Sequence, residues 1–315
     1  MSRFETERLA RAAAGELAAL AELDALGLFL APGEVPTAFV ASVRALDARL
    51  QEFEAELVAA GRCDLGEGVR LDADRRIPPE RFADAWEITE RRFAFRADWA
   101  PGFYVDPTFS WLFGGCAFTF DPERFAVFII REVFARRDRW LIYGRDELLA
   151  HEACHVARMP LASERFEERH AYGTAATAFR RRCGSLFRKP SDSLLFLGVT
   201  MLLLAAQSAQ LLLIPRLPMF PFWGAVGAAV LFLGVRDAHD ARAFARARRV
   251  LATRFGDFAD AVRFRCSDAE IAALARLAPA ALEAWLEAKT AEDWRWRVIR
   301  HRFMAPEAPA PGTDI

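Results

Sequence analysis

Two histidines four residues apart, His151 and His155, flank a glutamate in the run Asp146-Glu-Leu-Leu-Ala-His151-Glu152-Ala-Cys-His155. On a helix, positions i and i+4 share a face, so the two imidazoles can be presented to one metal ion. Glu152 is one residue round from the first histidine, within reach of a water held by that ion. Zinc lowers the pKa of such a water towards about 7, and a carboxylate can then take its proton for attack on a carbonyl. The pattern predicts Zn2+ at His151 and His155, with Glu152 as general base.

A catalytic zinc usually has three protein ligands and one open position. The third ligand is sought in residues 163–182, which read as a second helix ending in Arg180-Arg181-Arg182. A metzincin would need Gly at 158 and His at 161; Arg158 and Leu161 exclude that class. The candidates are Glu164, Glu167, Glu168 and His170. Glu168 is favoured, because Ala171 places a small residue one turn on, where two helices can approach closely. Glu167 ranks next and His170 behind it. The acids that do not ligate are expected to be solvated or to orient the ligating histidines. Tyr172, Arg180, His239 and Arg242 are the groups available to stabilise an oxyanion, with none singled out. Cys154 faces away from the ligand side and is expected to pack.

HExxH on one helix with a Glu on the next, in an ExxA-type arrangement, resembles the gluzincin metallopeptidases. Membrane spans soon after the third ligand are similar to the HtpX-like and CAAX-protease-like members of that clan. The resemblance covers roughly residues 110–235. It implies zinc at His151, His155 and Glu168, with Glu152 as general base and acid. Two departures limit it. HtpX-like chains have spans before the HExxH helix, and their Asp after the Ala is Tyr172 here.

The elements that would position these residues can be read from periodicity and punctuation. Residues 5–28 and 37–60 show leucines and valines at helical spacing, separated by Ala31-Pro-Gly-Glu-Val-Pro36. They predict a helical hairpin over 1–61. A core over 62–190 follows, with a helix at 80–90 and alternation at 91–96 that reads as a strand. Residues 110–120 and 125–134 are rich in β-branched and aromatic types and read as two strands, with a turn at Asp121-Pro-Glu-Arg. Either strand could offer an edge to an extended peptide.

Residues 193–214 carry no charge over 22 positions, and 219–235 none over 17. The first run alone spans about 30 Å of hydrocarbon. Together they predict a transmembrane hairpin over 191–236, with Gln207 and Gln210 facing the partner helix. Arg180, Arg181, Arg182, Arg188 and Lys189 precede it, and Arg236, Arg242, Arg246, Arg248 and Arg249 follow; the turn holds only Arg216. The positive-inside rule puts both flanks, and so the metal site, in the cytoplasm, as in a bacterial inner-membrane protein. Residues 237–305 read as a helical region opening with a basic helix, with a capping box at Ser267-Asp-Ala-Glu270. Trp285, Trp294 and Trp296 read as core or interfacial anchors. The Pro-rich tail, 306–315, reads as disordered.

Composition agrees. The chain has 315 residues, 53% of them hydrophobic, with 27 Phe and 8 Trp, which is above a usual soluble chain. Its net charge is −1, which gives no reason to expect nucleic acid as a partner. Among 42 basic residues only Lys189 and Lys289 are lysine, a genome-composition effect. The 5 cysteines are scattered without a CxxC pair; no disulfide framework or cysteine-zinc site is expected, and a reducing compartment fits. The charged N-terminus does not read as a cleavable signal peptide.

The expectation is an α+β protein, mostly helical, with a zincin-like core and a two-helix transmembrane hairpin. Its expected function is zinc-dependent endopeptidase action on membrane or cytosolic polypeptides. The alternative is a membrane scaffold with a structural or vestigial zinc site. The N-terminal helices are also candidates for covering the cleft.

Overall fold

A computed structural model describes residues 3–65, 69–106, 114–120 and 124–304. The expected strand positions 110–113, most of the turn at 121–124 and the tail lie outside these residues.

The expected N-terminal helix over 5–28 is two helices, α1 (Thr6–Ala13) and α2 (Leu17–Ala25). The chain turns at Gly15, whose φ of 82° suits glycine, and a Cβ there would lie 2.9 Å from the Trp294 ring. Proline starts α3 (Pro36–Ala60), which ends at Gly61. A short antiparallel pair follows, β1 (Arg62–Asp64) and β2 (Arg70–Asp72). The next helix is α4 (Ala83–Phe93). The strand expected at 91–96 is absent: Arg91 to Phe93 form the last turn of α4. Tertiary packing decides this, since Phe93 stacks on Phe264 at 4.2 Å and is buried.

The main sheet has three strands in the order β3 (Gly102–Val105), β5 (Phe125–Arg131), β4 (Gly115–Phe120). β5 is central, parallel to β3 and antiparallel to β4, and Phe125 to Ile130 are all buried. Among the described residues, β4 has no strand on its other side. A one-turn helix, α5 (Val133–Arg136), and a tight pair, β6 (Arg139–Trp140) and β7 (Tyr143–Gly144), lead into α6 (Arg145–Arg158). The long helix expected over 163–182 is instead α7 (Glu167–Ala171) and α8 (Ala178–Cys183). Threonines interrupt it: Thr174 donates to the Ala171 carbonyl at 2.6 Å, and Thr177 caps α8 by accepting from Arg180 N–H.

α9 (Pro190–Leu212) and α10 (Phe220–Phe255) pack side by side. Ser191–Leu212 and the helix starting at Phe220 are long and apolar enough to cross a membrane. Leu203, Ala206, Ala229 and Leu233 are buried along the pair, while Leu194, Met201, Leu211, Phe220, Leu231 and Phe232 face outward. The glutamines do not serve the expected helix contact. Gln207 is exposed, and Gln210 donates to the Leu217 carbonyl at 2.9 Å in the connecting turn. Arg236 grips Asp192 through two hydrogen bonds of 2.8 and 2.5 Å, closing the base of the pair.

α10 runs on past the apolar stretch and packs with α11 (Ala259–Phe264) and α12 (Asp268–Leu274). The chain closes with α13 (Leu282–Glu292) and α14 (Trp294–Phe303). Ser267 and Glu270 form the expected capping box on α12. Trp296 is fully buried among these helices, edge-on to Trp285. A larger apolar cluster joins α1–α4, the sheet and α6. Arg265, buried on Asp24 of α2 at 2.8 Å, ties the C-terminal helices to it.

Candidate metal centre

The HExxH sequence is helical throughout, within α6. Its apolar back, Leu149, Ala150, Ala153, Cys154 and Ala157, is fully buried against the sheet and α4. That burial fixes the rotation of α6, so the opposite face presents both histidines.

Their Nε2 atoms lie 3.2 Å apart. Two nitrogens bound tetrahedrally to one zinc would be separated by about 3.3 Å. Glu168, the favoured third candidate, comes from α7: its Oε2 is 3.6 Å from His151 Nε2 and its Oε1 3.7 Å from His155 Nε2. The three donors lie within 4.8 Å of one another. The donor set of two imidazoles and one carboxylate suits zinc and other borderline divalent ions alike.

The rivals are placed elsewhere. Glu167 turns to the back of the cluster, with Oε1 3.1 Å from His155 Nδ1 and Oε2 2.8 Å from Arg158 Nε. Burial raises its pKa, but Arg158 and His155 outweigh that and hold it below the usual range. Glu167 therefore stays ionised and orients the imidazole. Glu164 is exposed and pairs with Lys189. His170 is buried among Phe93, Phe244 and Phe264, away from the cluster.

Glu152 is 8% exposed and points towards the sheet edge, where Oε2 accepts the Ala117 N–H of β4 at 3.0 Å. Burial pushes its pKa up to about 7, despite His155 and that hydrogen bond, with Glu168 adding to the rise. A divalent cation close by would act in the opposite sense.

Beside Glu152 is a cavity of about 140 Å³, bordered by His151, Tyr143, Tyr172, Arg180 and Gly115. A Cβ at Gly115 would meet the Ile129 carbonyl oxygen at 2.9 Å, so glycine lets β4 lie this close to β5 and α6. Gly184 serves Tyr172 similarly: a Cβ there would fall 2.3 Å from the ring, which stands edge-on to His151 with centroids 4.7 Å apart. Burial raises the Tyr172 pKa, so its hydroxyl remains a donor. Arg180 is paired with Glu147. His239 and Arg242 line a different cavity. Cys154 is buried and its thiol pKa is raised by that burial, consistent with packing.

Sequence reasoning missed the Ala117 N–H, because no side-chain pattern reveals which backbone group faces a helix. It also missed Arg158, one turn after His155, whose buried guanidinium anchors Glu167 and reaches Ser163 Oγ at 2.8 Å and the Phe264 carbonyl.

The chain matches no protein-family model, no curated protein and no solved structure.

Proposed function

We propose that this chain is a membrane-anchored zinc-dependent endopeptidase of the gluzincin type, with a zincin-like core. The observation that carries the reading is the convergence of His151, His155 and Glu168 from two helices, with a buried carboxylate beside them on a sheet edge. Zinc held there would supply Lewis acidity towards a peptide carbonyl and acidify a water. Glu152 takes the proton of the attacking water on Oε1, since Oε2 is held by Ala117, and passes it to the departing amide nitrogen. Glu167 and Arg158 keep His155 oriented. Tyr172 offers a neutral O–H towards the developing oxyanion.

Substrate recognition follows from β4. The Gly114 carbonyl accepts from Arg131 N–H, so the Gly115–Ile130 pair is not hydrogen-bonded, nor is Ala117–Phe128 two residues on. The backbone groups of Gly115 and Thr119 and the Ala117 carbonyl therefore face the edge left open among the described residues, the Ala117 N–H being taken by Glu152. An extended polypeptide adds there as a further strand, next to Glu152.

The outward apolar faces of α9 and α10 support insertion in a lipid bilayer. The basic residues on both flanks favour a cytoplasmic site.

The test is processing of casein, or of the chain itself, by detergent-purified protein. Wild type loaded with zinc cleaves; Glu152→Gln and chelated wild type do not. Equal processing by wild type and Glu152→Gln would reject the enzyme and leave a scaffold.

A further inference from the structure

Within α7, Glu168 turns to the imidazoles while His170, two residues on, forms part of the wall of a separate cavity of about 240 Å³. Its wall includes Arg92 from α4, Arg169 and His170 from α7, Arg181 from α8, and Arg263 from α11, with Phe244 of α10. A water occupies about 30 Å³ in the liquid, so the cavity has room for a small molecule rather than one or two waters.

The polar groups of this wall are incompletely used. His170 is 1% exposed, and neither ring nitrogen has a hydrogen-bond partner among the described residues. The same holds for Arg263 Nε. Buried polar groups are nearly always paired, and leaving one unpaired is costly. Rotation does not solve the problem for His170, which is held between Phe93, Phe244 and Phe264.

The charge is also unbalanced. Arg92 is exposed and makes no ion pair or hydrogen bond with a described residue. Among the described residues, the Arg181 side chain meets only the carbonyls of Ala175 and Ala176. Arg169 is paired with Asp237. Asp260, the one acid in this wall among the described residues, has Oδ1 taken by Arg263 at 2.5 Å and Oδ2 by Arg248 at 3.0 Å.

We propose that this cavity binds a small soluble oxyanion of the phosphate class, inorganic phosphate or a small phosphomonoester. Arg92 and Arg181 supply charge at the wall; the unpartnered N–H groups of Arg263 and His170 are covered in the empty cavity and become donors once neighbouring side chains shift to admit the anion. A membrane phospholipid is a poorer source, because Phe244 lies nine residues, about 13 Å of helix, beyond Val235 at the end of the apolar run. Bound anion holds the C-terminal half of α7, whose N-terminal half carries Glu167 and Glu168. Binding does not depend on the peptidase reading; its regulatory consequence does.

The experiment is titration calorimetry of metal-free, full-length protein in detergent with inorganic phosphate and with glycerol phosphate. Saturable binding of one anion per chain is expected, and amide exchange over 167–171 slows when it binds. Arg92→Glu and His170→Phe each weaken binding about tenfold or more, the value of a charge-assisted hydrogen bond. The exposed control Arg249→Glu leaves it unchanged. If His170→Phe does not fold, Arg92→Glu, on the surface of α4, still decides. No saturable binding, or equal affinity in Arg92→Glu, marks an adventitious ion only and overturns the site. So does a response to phosphatidylglycerol nanodiscs without one to free phosphate.

Discussion

His155 Nδ1 and Glu167 Oε1 lie 3.1 Å apart, so the second histidine of the HExxH helix is oriented by a residue from α7. The same carboxylate meets Arg158, whose side chain is fully buried. Replacing Glu167 by Gln leaves Arg158 without its counter-charge and loosens the imidazole. Metal affinity should fall about 10- to 100-fold, the usual effect of removing a partner behind a ligand. The melting temperature should fall too. Competitive zinc titration and a thermal melt measure both; unchanged zinc affinity would remove Glu167 from the site.

The residues proposed as direct ligands should behave differently. His151→Ala and Glu168→Ala are expected to purify with little zinc, whereas wild type carries about one ion per chain. Elemental analysis after dialysis reads this. Full zinc occupancy in Glu168→Ala would mean that the third donor lies elsewhere.

Glu152→Gln keeps the three donors and should keep the metal. Its cleavage rate should drop by about 10²-fold or more, the contribution of a positioned general base. Parallel zinc and proteolysis measurements separate this variant from the ligand variants.

Ala117→Pro tests the sheet edge. Ala117 spends no hydrogen bond on β5, so proline there spares the β4–β5 ladder. It removes the N–H that holds Glu152 and blocks strand addition. Peptide cleavage should fall about tenfold or more with zinc content unchanged. Wild-type kinetics in Ala117→Pro would exclude β4 as the docking edge.

A stability test lies away from the metal. Glu270 is buried; burial raises its pKa, but Arg295, Trp296 and the Ser267 N–H outweigh that and bring it below the usual range. Its stabilisation is therefore complete above the unfolded value, about pH 4.3, and lost as pH falls through the folded value. Glu270→Gln should cost about 2–3 kcal/mol at pH 7, discounted because Asp293 also contacts Arg295. The gap from wild type should narrow as the pH drops below about 4. Melting curves across this range measure it; a gap independent of pH would contradict the account.

The legible parts of the fold were those with local signals. The HExxH helix, the capping box at Ser267, the aromatic and β-branched residues of β4 and β5 and the two uncharged runs all carry their pattern within a short stretch. The breaks were hidden. Gly15 turns the chain after α1 with the Trp294 ring, far along the chain, packed against it, and Phe93 stays helical with Phe264 stacked on it. The split of α7 from α8 depends on threonine hydroxyls choosing backbone carbonyls and amides. The choice among Glu167, Glu168 and His170 depended on the direction each faces from α7, and a helix of five residues gives no periodicity from which to read that.

Asp237 and Asp240 lie just past the apolar stretch of α10 and hold Arg169 of α7 and Arg165 beside it. Asp237 is two residues, about 3 Å of helix, from Val235. On the proposed membrane-anchored reading, these ion pairs hold the metal centre at a constant height above the lipid. An endopeptidase of the proposed kind would then act as a ruler, selecting scissile bonds by how far they emerge from the bilayer before reading any side chain around them.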